Sequence, residues 1–200
     1  GLGLALLPGE MPAEAAAGRV AWAVICHDAG KASTRTETET GIHFYGHVQK
    51  GVELTAGILR RMNFSREDME VILALVANHM RFMHVREMRP NTLKKFLRLP
   101  YFDLHLLLHR LDCLGSHGQL ANEAFCREKL QGLTAADLHP PRLLSGHDLL
   151  ALGLTPGPQF REILELIEDR QLSGEINTTE EARELVRKMF SPAPAAGGHG

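Results

Sequence analysis

The sequence has 200 residues, a length that can bury one full hydrophobic core and a smaller appended region. The formal net charge of −2 excludes a protein that is basic over its whole surface, so contact with nucleic acid would need a local basic patch. No apolar run approaches the length that crosses a membrane, which excludes a membrane-spanning protein.

The chain opens on apolar residues 1–7, with neither an initiator Met nor a basic segment before them. This pattern excludes a secretory signal peptide and is typical of the end of a helix that begins further upstream. We therefore expect the chain to be a fragment of a longer protein. A turn at residues 8–12 leads into an Ala-rich helix that carries Trp22 and is predicted to end near Asp28.

His27 and Asp28 close this apolar helix, and Gly30 and Lys31 follow them. Polar side chains at the end of a buried helix need a partner, and one divalent cation would satisfy both. Imidazole and carboxylate together suit Mn, Fe, Co, Ni or Zn, and Mg where water supplies the remaining ligands. We expect Gly30 to end the helix in a left-handed conformation and Lys31 to bring a positive charge near a bound anion. The alternative interpretation is a core histidine hydrogen-bonded to the neighbouring aspartate.

Residues 32–42 are polar, Thr-rich and aperiodic, which predicts an exposed loop beside this site. A helix is predicted after His47, and the next one has Ser65 as its N-cap and ends at His79. Both histidines are therefore placed at helix ends, where ligands from separate elements can converge on one metal ion.

Six cations and one acid occur between residues 80 and 100, which makes this the basic part of the chain. The cations are Arg81, Arg86, Arg89, Lys94, Lys95 and Arg98. They are interpreted either as a surface that follows the phosphates of a nucleic acid or as an ordinary solvated face.

Residues 103–116 form a strongly helical segment, and residues 119–131 a second one. On the first, one stripe contains His105, His109, Asp112 and Ser116. This stripe offers a rival metal site built from His105, His109 and Asp112 on one helix. We rank it below the site at His27, because both stripe histidines can equally be satisfied core or surface groups.

The C-terminal part of the chain consists of short predicted helices. Ser145 and Thr178 are expected N-caps, Thr155–Pro156 the start of a helix, and Gly174 the end of that helix. No segment alternates convincingly, so the predicted fold is all-α, a helical bundle with a small C-terminal helical appendage. The predicted domains are residues 1–137 and 138–190, and residues 191–200, rich in Pro, Ala and Gly, are an expected disordered tail.

The order of His27–Asp28 and a distant Asp112 resembles the HD family of metal-dependent phosphohydrolases. Several segments resemble one branch of that family, the C-terminal half of bacterial CCA-adding tRNA nucleotidyltransferases and related poly(A) polymerase family proteins. These segments are Phe44-Tyr45-Gly46-His47, Leu75-Val76-Ala77-Asn78-His79, Arg89-Pro90-Asn91-Thr92-Leu93-Lys94, Leu144-Ser145-Gly146-His147-Asp148-Leu149 and Gly174-Glu175-Ile176-Asn177-Thr178. The resemblance covers about residues 20–190.

The resemblance implies a divalent ion that activates a water and polarises a phosphoryl oxygen. The implied metal ligands are His27, Asp28 and Asp112, with His47 and His79 as ligands of a second ion or contacts to phosphate. Lys31 and Arg110 would neutralise developing charge beside the catalytic His27 and Asp28. The implied activity is that of a 2′,3′-cyclic phosphodiesterase, 2′-nucleotidase or phosphatase on tRNA or RNA 3′ ends or on nucleotides.

Two features of the family are missing from this sequence. The histidine that precedes the His-Asp pair in the family has no counterpart in residues 1–26, and the N-terminal nucleotidyltransferase domain expected in the parent chain is absent. The chain by itself is therefore not expected to add nucleotides to tRNA. The alternatives are a catalytically silent helical scaffold for tRNA with a vestigial metal site, or a module that binds nucleotides without turning them over.

The three cysteines, Cys26, Cys113 and Cys126, are widely spaced and contain no CxxC pair. An odd number of separated cysteines indicates reduced thiols, not a disulfide framework or a thiolate zinc site. We therefore expect a cytoplasmic protein.

Overall fold

The computed structural model describes residues 13–190, and its regular elements are helices apart from one short hairpin. The helices are α1 (Ala13–Cys26), α2 (Lys31–Thr34), α3 (His47–Arg61), α4 (Arg66–Asn78), α5 (Pro90–Leu97), α6 (Phe102–Gly115), α7 (Ala121–Gln131), α8 (Ala135–Leu138), α9 (Gly146–Ala151), α10 (Gln159–Ser173) and α11 (Thr179–Phe190), with a 3₁₀ segment at His79–Glu87. The predicted all-α fold is confirmed. None of these helices is long and apolar enough to cross a membrane.

A short hairpin interrupts the helices where the sequence predicts a loop. Strand β1 (Thr36–Thr38) pairs antiparallel with β2 (Gly41–His43), with Thr36 opposite His43. Both strands are exposed almost throughout, so they carry no alternation of apolar and polar residues. The prediction of a loop over residues 32–42 is wrong here, because an exposed hairpin lacks the periodic signal that identifies a strand.

The chain divides into two compact units. Unit 1 contains the residues up to Glu87 together with Leu99–Lys129, and unit 2 contains Met88–Arg98 together with the residues from Leu130 onward. Unit 2 thus includes α5. Its second segment begins at Leu130, whereas the sequence predicts a boundary between residues 137 and 138. The predicted tail at residues 191–200 lies outside the described residues, as do residues 1–12.

The core of unit 1 is formed by α1, α3, α4 and α6. Its buried members are Val20, Ala23, Cys26, Leu59, Val71, Ile72, Leu75, Val76, Leu104 and Leu108. Arg19 fastens α1 to the start of α4, with Nε 2.6 Å from a carboxylate oxygen of Asp68. Asp68 also donates its backbone N–H to Ser65 Oγ at 3.1 Å, which confirms the predicted N-cap of α4. These contacts hold the middle of α1 against the start of α4.

Unit 2 has its own core, to which α9, α10 and α11 contribute. Its buried members are Leu144, Leu149, Leu154, Ile163, Ile167, Ile176, Ala182 and Val186. Ser145 and Thr178 cap their helices as predicted, since the backbone N–H groups of Asp148 and Glu181 donate to their hydroxyl oxygens.

Helix α10 begins later than the sequence predicts and ends at the predicted residue. It starts at Gln159, not at Thr155–Pro156. Gly157 precedes Pro158, and a residue before proline is disfavoured in the helical conformation, which delays the start. Gly174 ends the helix at φ 79°, the left-handed conformation that glycine adopts without strain.

Candidate metal centre

A close contact between backbones places the end of α1 against the start of α3. A Cβ added to Gly30 would lie 2.0 Å from the carbonyl oxygen of His47 and 2.7 Å from the backbone nitrogen of Gly51. Glycine is therefore required here for space. Gly30 has φ −69°, so the predicted left-handed cap is wrong. A glycine inside a helical pattern, such as Gly51, does not by itself identify this contact, because an added Cβ at Gly57 in the same helix meets no atom within 4 Å.

Glycine also shapes the entry into α3. Gly46 has φ 75°, a left-handed conformation that turns the chain immediately before His47, the first residue of the helix. His47 is consequently buried, whereas Tyr45 on the other side of the turn is 74% exposed.

Three histidines in unit 1 are held in the same way, each by a backbone carbonyl three residues earlier. The contacts run from Nδ1 of His27 to Val24 at 2.8 Å, of His47 to Phe44 at 2.8 Å, and of His79 to Val76 at 2.7 Å. A carbonyl oxygen only accepts, so Nδ1 carries the hydrogen and the neutral ring presents the lone pair of Nε2. This is the tautomer and orientation in which histidine binds metal ions.

The three Nε2 atoms converge on Asp28. One carboxylate oxygen lies 3.9 Å from His47 Nε2 and 3.8 Å from His79 Nε2. The other lies 3.4 Å from His27 Nε2 and accepts a hydrogen bond from Lys31 Nζ at 2.7 Å. Asp28, His47 and His79 each offer one ligand atom, and these atoms all lie within 4.8 Å of one another.

Asp112 reaches the same place from α6. Its Oδ1 lies 3.4 Å from Nε2 of His27. The structure therefore brings together the five residues predicted as metal ligands, namely His27, Asp28, His47, His79 and Asp112. We call these five residues the Asp28 cluster.

Two nitrogens of the Asp28 cluster have no hydrogen-bond partner. Between residues 13 and 190, the buried side-chain nitrogens and oxygens without such a partner are Nε2 of His47, Nε2 of His79 and Nδ1 of His105. Distances of 3.8 and 3.9 Å to Asp28 are too long for hydrogen bonds. They are close to the separation of about 3.4 Å between two atoms that each lie about 2.1 Å from one tetrahedral metal ion. The Asp28, His47 and His79 side chains thus fit a divalent cation with nitrogen and oxygen ligands.

The electrostatics of the cluster keep Asp28 ionised and His79 neutral. Burial raises the pKa of Asp28, but the hydrogen bond from Lys31 and the neighbouring positive charges outweigh burial and leave this pKa below its usual value. Burial is also the main cause that lowers the pKa of His79. A carboxylate beside neutral imidazoles is the protonation state that metal binding requires.

The two cations predicted to assist catalysis have different surroundings. Lys31 lies within the cluster, bonded to Asp28, with its Nζ 5.7 Å from the centre of the Phe44 ring. Arg110 on α6 lies 3.3 Å from the carboxylate of Glu123, a residue that is only 3% exposed. That carboxylate also pairs with Arg127 at 2.8 Å. Arg110 is therefore held in an ion pair with a buried acid.

The rival site on α6 does not form. His109 stacks on the ring of Phe82 with centroids 4.4 Å apart, and its Nε2 lies 3.6 Å from Cys113 Sγ. His105 is 2% exposed, and burial lowers its pKa to about 4, assisted by the charge of Arg81. Over the described range 13–190, only Asp28, His47 and His79 form a set of three ligand atoms this close together.

The predicted basic surface is divided between the two units. Arg81 and Arg86 belong to unit 1, where they donate to the side chains of Asn78 and Asn122, each at 3.1 Å. The remaining four cations, Arg89, Lys94, Lys95 and Arg98, belong to unit 2.

Two of the cations in unit 2 are paired with acids of α10. Lys95 lies 2.8 Å from Asp169, and Arg98 lies 2.8 Å from Glu168. Part of the positive charge in this stretch is thus neutralised within unit 2, and contact with nucleic acid stays a prediction.

Comparison with known proteins gives one family and several relatives. Residues 2–100 match the HD domain. The chain is 33% identical over 190 residues to an A-adding tRNA nucleotidyltransferase of Deinococcus radiodurans, an alignment that covers 88% of this chain and 42% of that protein. It is 33% identical over 173 residues to a CC-adding tRNA nucleotidyltransferase of Thermus thermophilus, covering 82% of this chain and 38% of that protein.

A more distant relative is a multifunctional CCA protein of Legionella pneumophila, 29% identical over 93 residues, 46% of this chain and 22% of that protein. The chain spans about two fifths of the length of the two nucleotidyltransferases. No solved structure matches it significantly.

Proposed function

We propose, on the premise that this chain belongs to the HD-domain family in its branch of tRNA nucleotidyltransferase relatives, that it is a metal-dependent phosphohydrolase. The substrates are phosphate esters of RNA 3′ ends, tRNA included, or of nucleotides, such as 2′,3′-cyclic phosphodiesters and 2′-phosphates. The observation that carries this proposal is the pair of buried Nε2 atoms of His47 and His79, which face Asp28 without a hydrogen-bond partner.

His27, Asp28 and Asp112 would hold a divalent ion, with His47 and His79 as further ligands or as contacts to phosphate. Three imidazoles and two carboxylates favour Mn, Fe, Co, Ni or Zn over Mg, which prefers oxygen ligands. When bound, such an ion supplies Lewis acidity toward a phosphoryl oxygen and a water of lowered pKa.

Lys31 would neutralise charge on the phosphate, since its hydrogen bond to Asp28 keeps its ammonium group at the cluster. We assign Arg110 a smaller part, because its ion pair with the buried Glu123 competes for its charge. Asp28 has two tasks, because one oxygen faces His47 and His79 and the other orients Lys31.

Metal analysis combined with hydrolysis tests this proposal. The purified chain, incubated with each candidate metal and dialysed, is expected to retain about one equivalent of metal and to hydrolyse 2′,3′-cyclic AMP. His79→Ala should abolish both. His84→Ala is the matched control, because His84 has a side chain that is 70% exposed and lies outside the cluster. A wild-type chain that retains no metal and hydrolyses no phosphate ester would contradict the proposal.

The second candidate is a helical scaffold for tRNA with a vestigial metal site. The names of the two nucleotidyltransferase relatives favour it, since they describe nucleotide addition and not hydrolysis. Arg89 and Lys94 of unit 2 would then contact tRNA phosphates. A chain that binds tRNA, loses affinity in the Arg89→Ala variant and retains no metal would support the scaffold.

We also propose a cytoplasmic location, in which the chain acts beside the nucleotidyltransferase domain of its parent protein. Cys26, Cys113 and Cys126 are all buried and free, as expected for a reducing compartment.

A further inference from the structure

An exposed aromatic pair lies on the short connection between the hairpin and α3. The rings of His43 and Tyr45 are stacked, with centroids 5.2 Å apart and an angle of 11° between their planes. Tyr45 is 74% exposed, a large value for a tyrosine. With His43 against one face of the phenol ring, the other face is open to a planar ligand.

Hydrogen bonds on both sides of this pair order the chain around it before any ligand arrives. His43 ends strand β2 and its Nε2 lies 3.0 Å from Thr40 Oγ1, so the imidazole is fixed within the hairpin. On the other side, the carbonyl of Phe44 binds Nδ1 of His47, and the left-handed Gly46 fixes the turn. A ligand that stacks on Tyr45 would therefore lose little free energy in ordering the protein.

The pair lies next to the Asp28 cluster. Tyr45 is separated from His47 by one residue, so their Cα atoms are at most about 7 Å apart. The turn at Gly46 gives the two side chains opposite environments, His47 buried among the ligands and Tyr45 in solvent. An exposed aromatic ring is thus carried two residues from a member of the cluster.

We propose that Tyr45, supported by His43, is the stacking surface for the nucleobase of the substrate. The proposal rests on the proposed function and deepens it, because it narrows the substrates from phosphate esters in general to those that carry a base next to the reacting phosphate. Stacking uses the π face that every base has, so the site accepts all four bases and ranks purines above pyrimidines. Two sources of the base are possible, a free mononucleotide and the terminal nucleotide of an RNA.

The test compares ligands with and without a base on metal-depleted protein, so that no hydrolysis occurs. The ligands are 2′,3′-cyclic AMP, a short oligoribonucleotide with a 2′,3′-cyclic end, and glycerol 1,2-cyclic phosphate, which has the same ring and no base. Titrations followed by NMR chemical shifts give the dissociation constants. They also report the ring-current shift of the Tyr45 protons, which a merely structural role would not produce.

Tyr45→Ala should weaken binding of the nucleotide about 10-fold or more and leave glycerol 1,2-cyclic phosphate unchanged. Tyr45→Phe should bind like the wild type, because it keeps the aromatic face. Tyr101→Asn is the matched control, since Tyr101 is the other tyrosine of the chain, is 43% exposed, and has φ 59°, which Asn tolerates. An oligoribonucleotide that binds more tightly than 2′,3′-cyclic AMP, with the same loss in Tyr45→Ala, would identify RNA ends as the source.

Equal weakening of all three ligands, or no weakening in Tyr45→Ala, would overturn the inference, as would a wild-type chain that binds no nucleotide. Failure of the proposed function gives a different result. In that case the metal-treated wild type binds no metal and hydrolyses nothing, while the difference between wild type and Tyr45→Ala in nucleotide binding persists.

Discussion

Unit 1 contains two groups of histidine and aspartate that look alike in the sequence and differ in the structure. In the Asp28 cluster, three histidines come from three separate places along the chain, and their Nε2 atoms face a carboxylate. On α6, His105 and His109 share one helix face, and aromatic rings and a thiol surround them. Asp112 lies on α6, but its carboxylate faces His27.

The surroundings of a histidine decide whether it can bind a cation or packs as a polar member of the core. A ring whose Nδ1 is held by a carbonyl and whose Nε2 faces a carboxylate is prepared to bind a cation. A ring stacked against Phe82, as His109 is, acts as a polar member of the core. Regular helical spacing therefore says less about metal binding than convergence from separate elements.

Loss of bound metal should distinguish the Asp28 cluster from the histidines of α6, and it is the strongest effect that we expect. Asp28→Ala or His27→Ala should reduce bound metal from about one equivalent to none and lower hydrolysis at least about 100-fold, because each removes a ligand of the reacting centre. His109→Gln should retain the metal. Metal content measured by mass spectrometry on folded variants checks this, and metal loss in His109→Gln would break the distinction.

The next effect concerns the backbone contact that assembles the cluster. Gly30→Ala should lower the free energy of unfolding by about 3 kcal/mol and abolish metal binding, because its Cβ would lie 2.0 Å from the His47 carbonyl oxygen. Gly57→Ala in α3, the helix that begins at His47, is the matched control. No atom lies within 4 Å of its added Cβ, so we expect it to raise stability by about 0.5–1 kcal/mol. Urea denaturation of both variants measures the difference, and equal stabilities would contradict it.

A third prediction uses the pH dependence of the α6 group. Burial lowers the pKa of His105 from 6.5 in the unfolded chain to about 4 in the folded protein. As the pH falls from 6.5 to 4, the unfolded chain binds a proton that the folded protein excludes, so the free energy of unfolding decreases. Above pH 6.5 neither state is protonated and the contribution is fully present.

The expected loss over this window is up to about 3 kcal/mol. His105→Leu should lack this part of the pH dependence, whereas His84→Ala at an exposed site should keep it. Denaturation at a series of pH values gives the two profiles, and parallel profiles for wild type and His105→Leu would show that His105 is not the titrating group.

The smallest effect is expected at the thiol beside His109. Cys113→Ala removes a buried sulfur atom and should cost about 1 kcal/mol of stability, with no change in bound zinc. Zinc content is the sharper measurement. A lower zinc content in Cys113→Ala would indicate that the metal binds at the α6 histidines and not at the Asp28 cluster.

The residues that could be predicted from the sequence are those with local signals. Apolar periodicity predicts most of the longer helices but not the short α2, α5 and α8, and Ser65 and Thr178 predict two of the caps, because capping depends on residues within one turn. The candidate ligands were found by residue type and order. The hairpin at residues 36–43 and the late start of α10 were missed, the first because exposed strands carry no pattern and the second because Gly157–Pro158 outweighed a plausible cap.

Contacts between segments that are distant in the chain cannot be predicted from this sequence alone. The need for glycine at position 30 comes from His47 and Gly51, and no local signal at Gly30 indicates that packing. Likewise, the charges of Lys95 and Arg98 are neutralised by acids of α10 that lie far along the chain, and no local sequence signal indicates these ion pairs. Helices and caps can therefore be predicted from neighbouring residues, whereas contacts between distant segments cannot.

The carbonyl contacts of the three histidines have a consequence for tolerance to substitution. The groups that orient the imidazoles are main-chain oxygens of Val24, Phe44 and Val76, and every amino acid supplies such an oxygen. The identity of the side chains at these three positions therefore does not set the orientation of the rings, although Val76 is also constrained as a member of the unit 1 core. Ring orientation is encoded in where each helix begins or ends, so a homologue can lose identity at these positions and still present the same lone pairs.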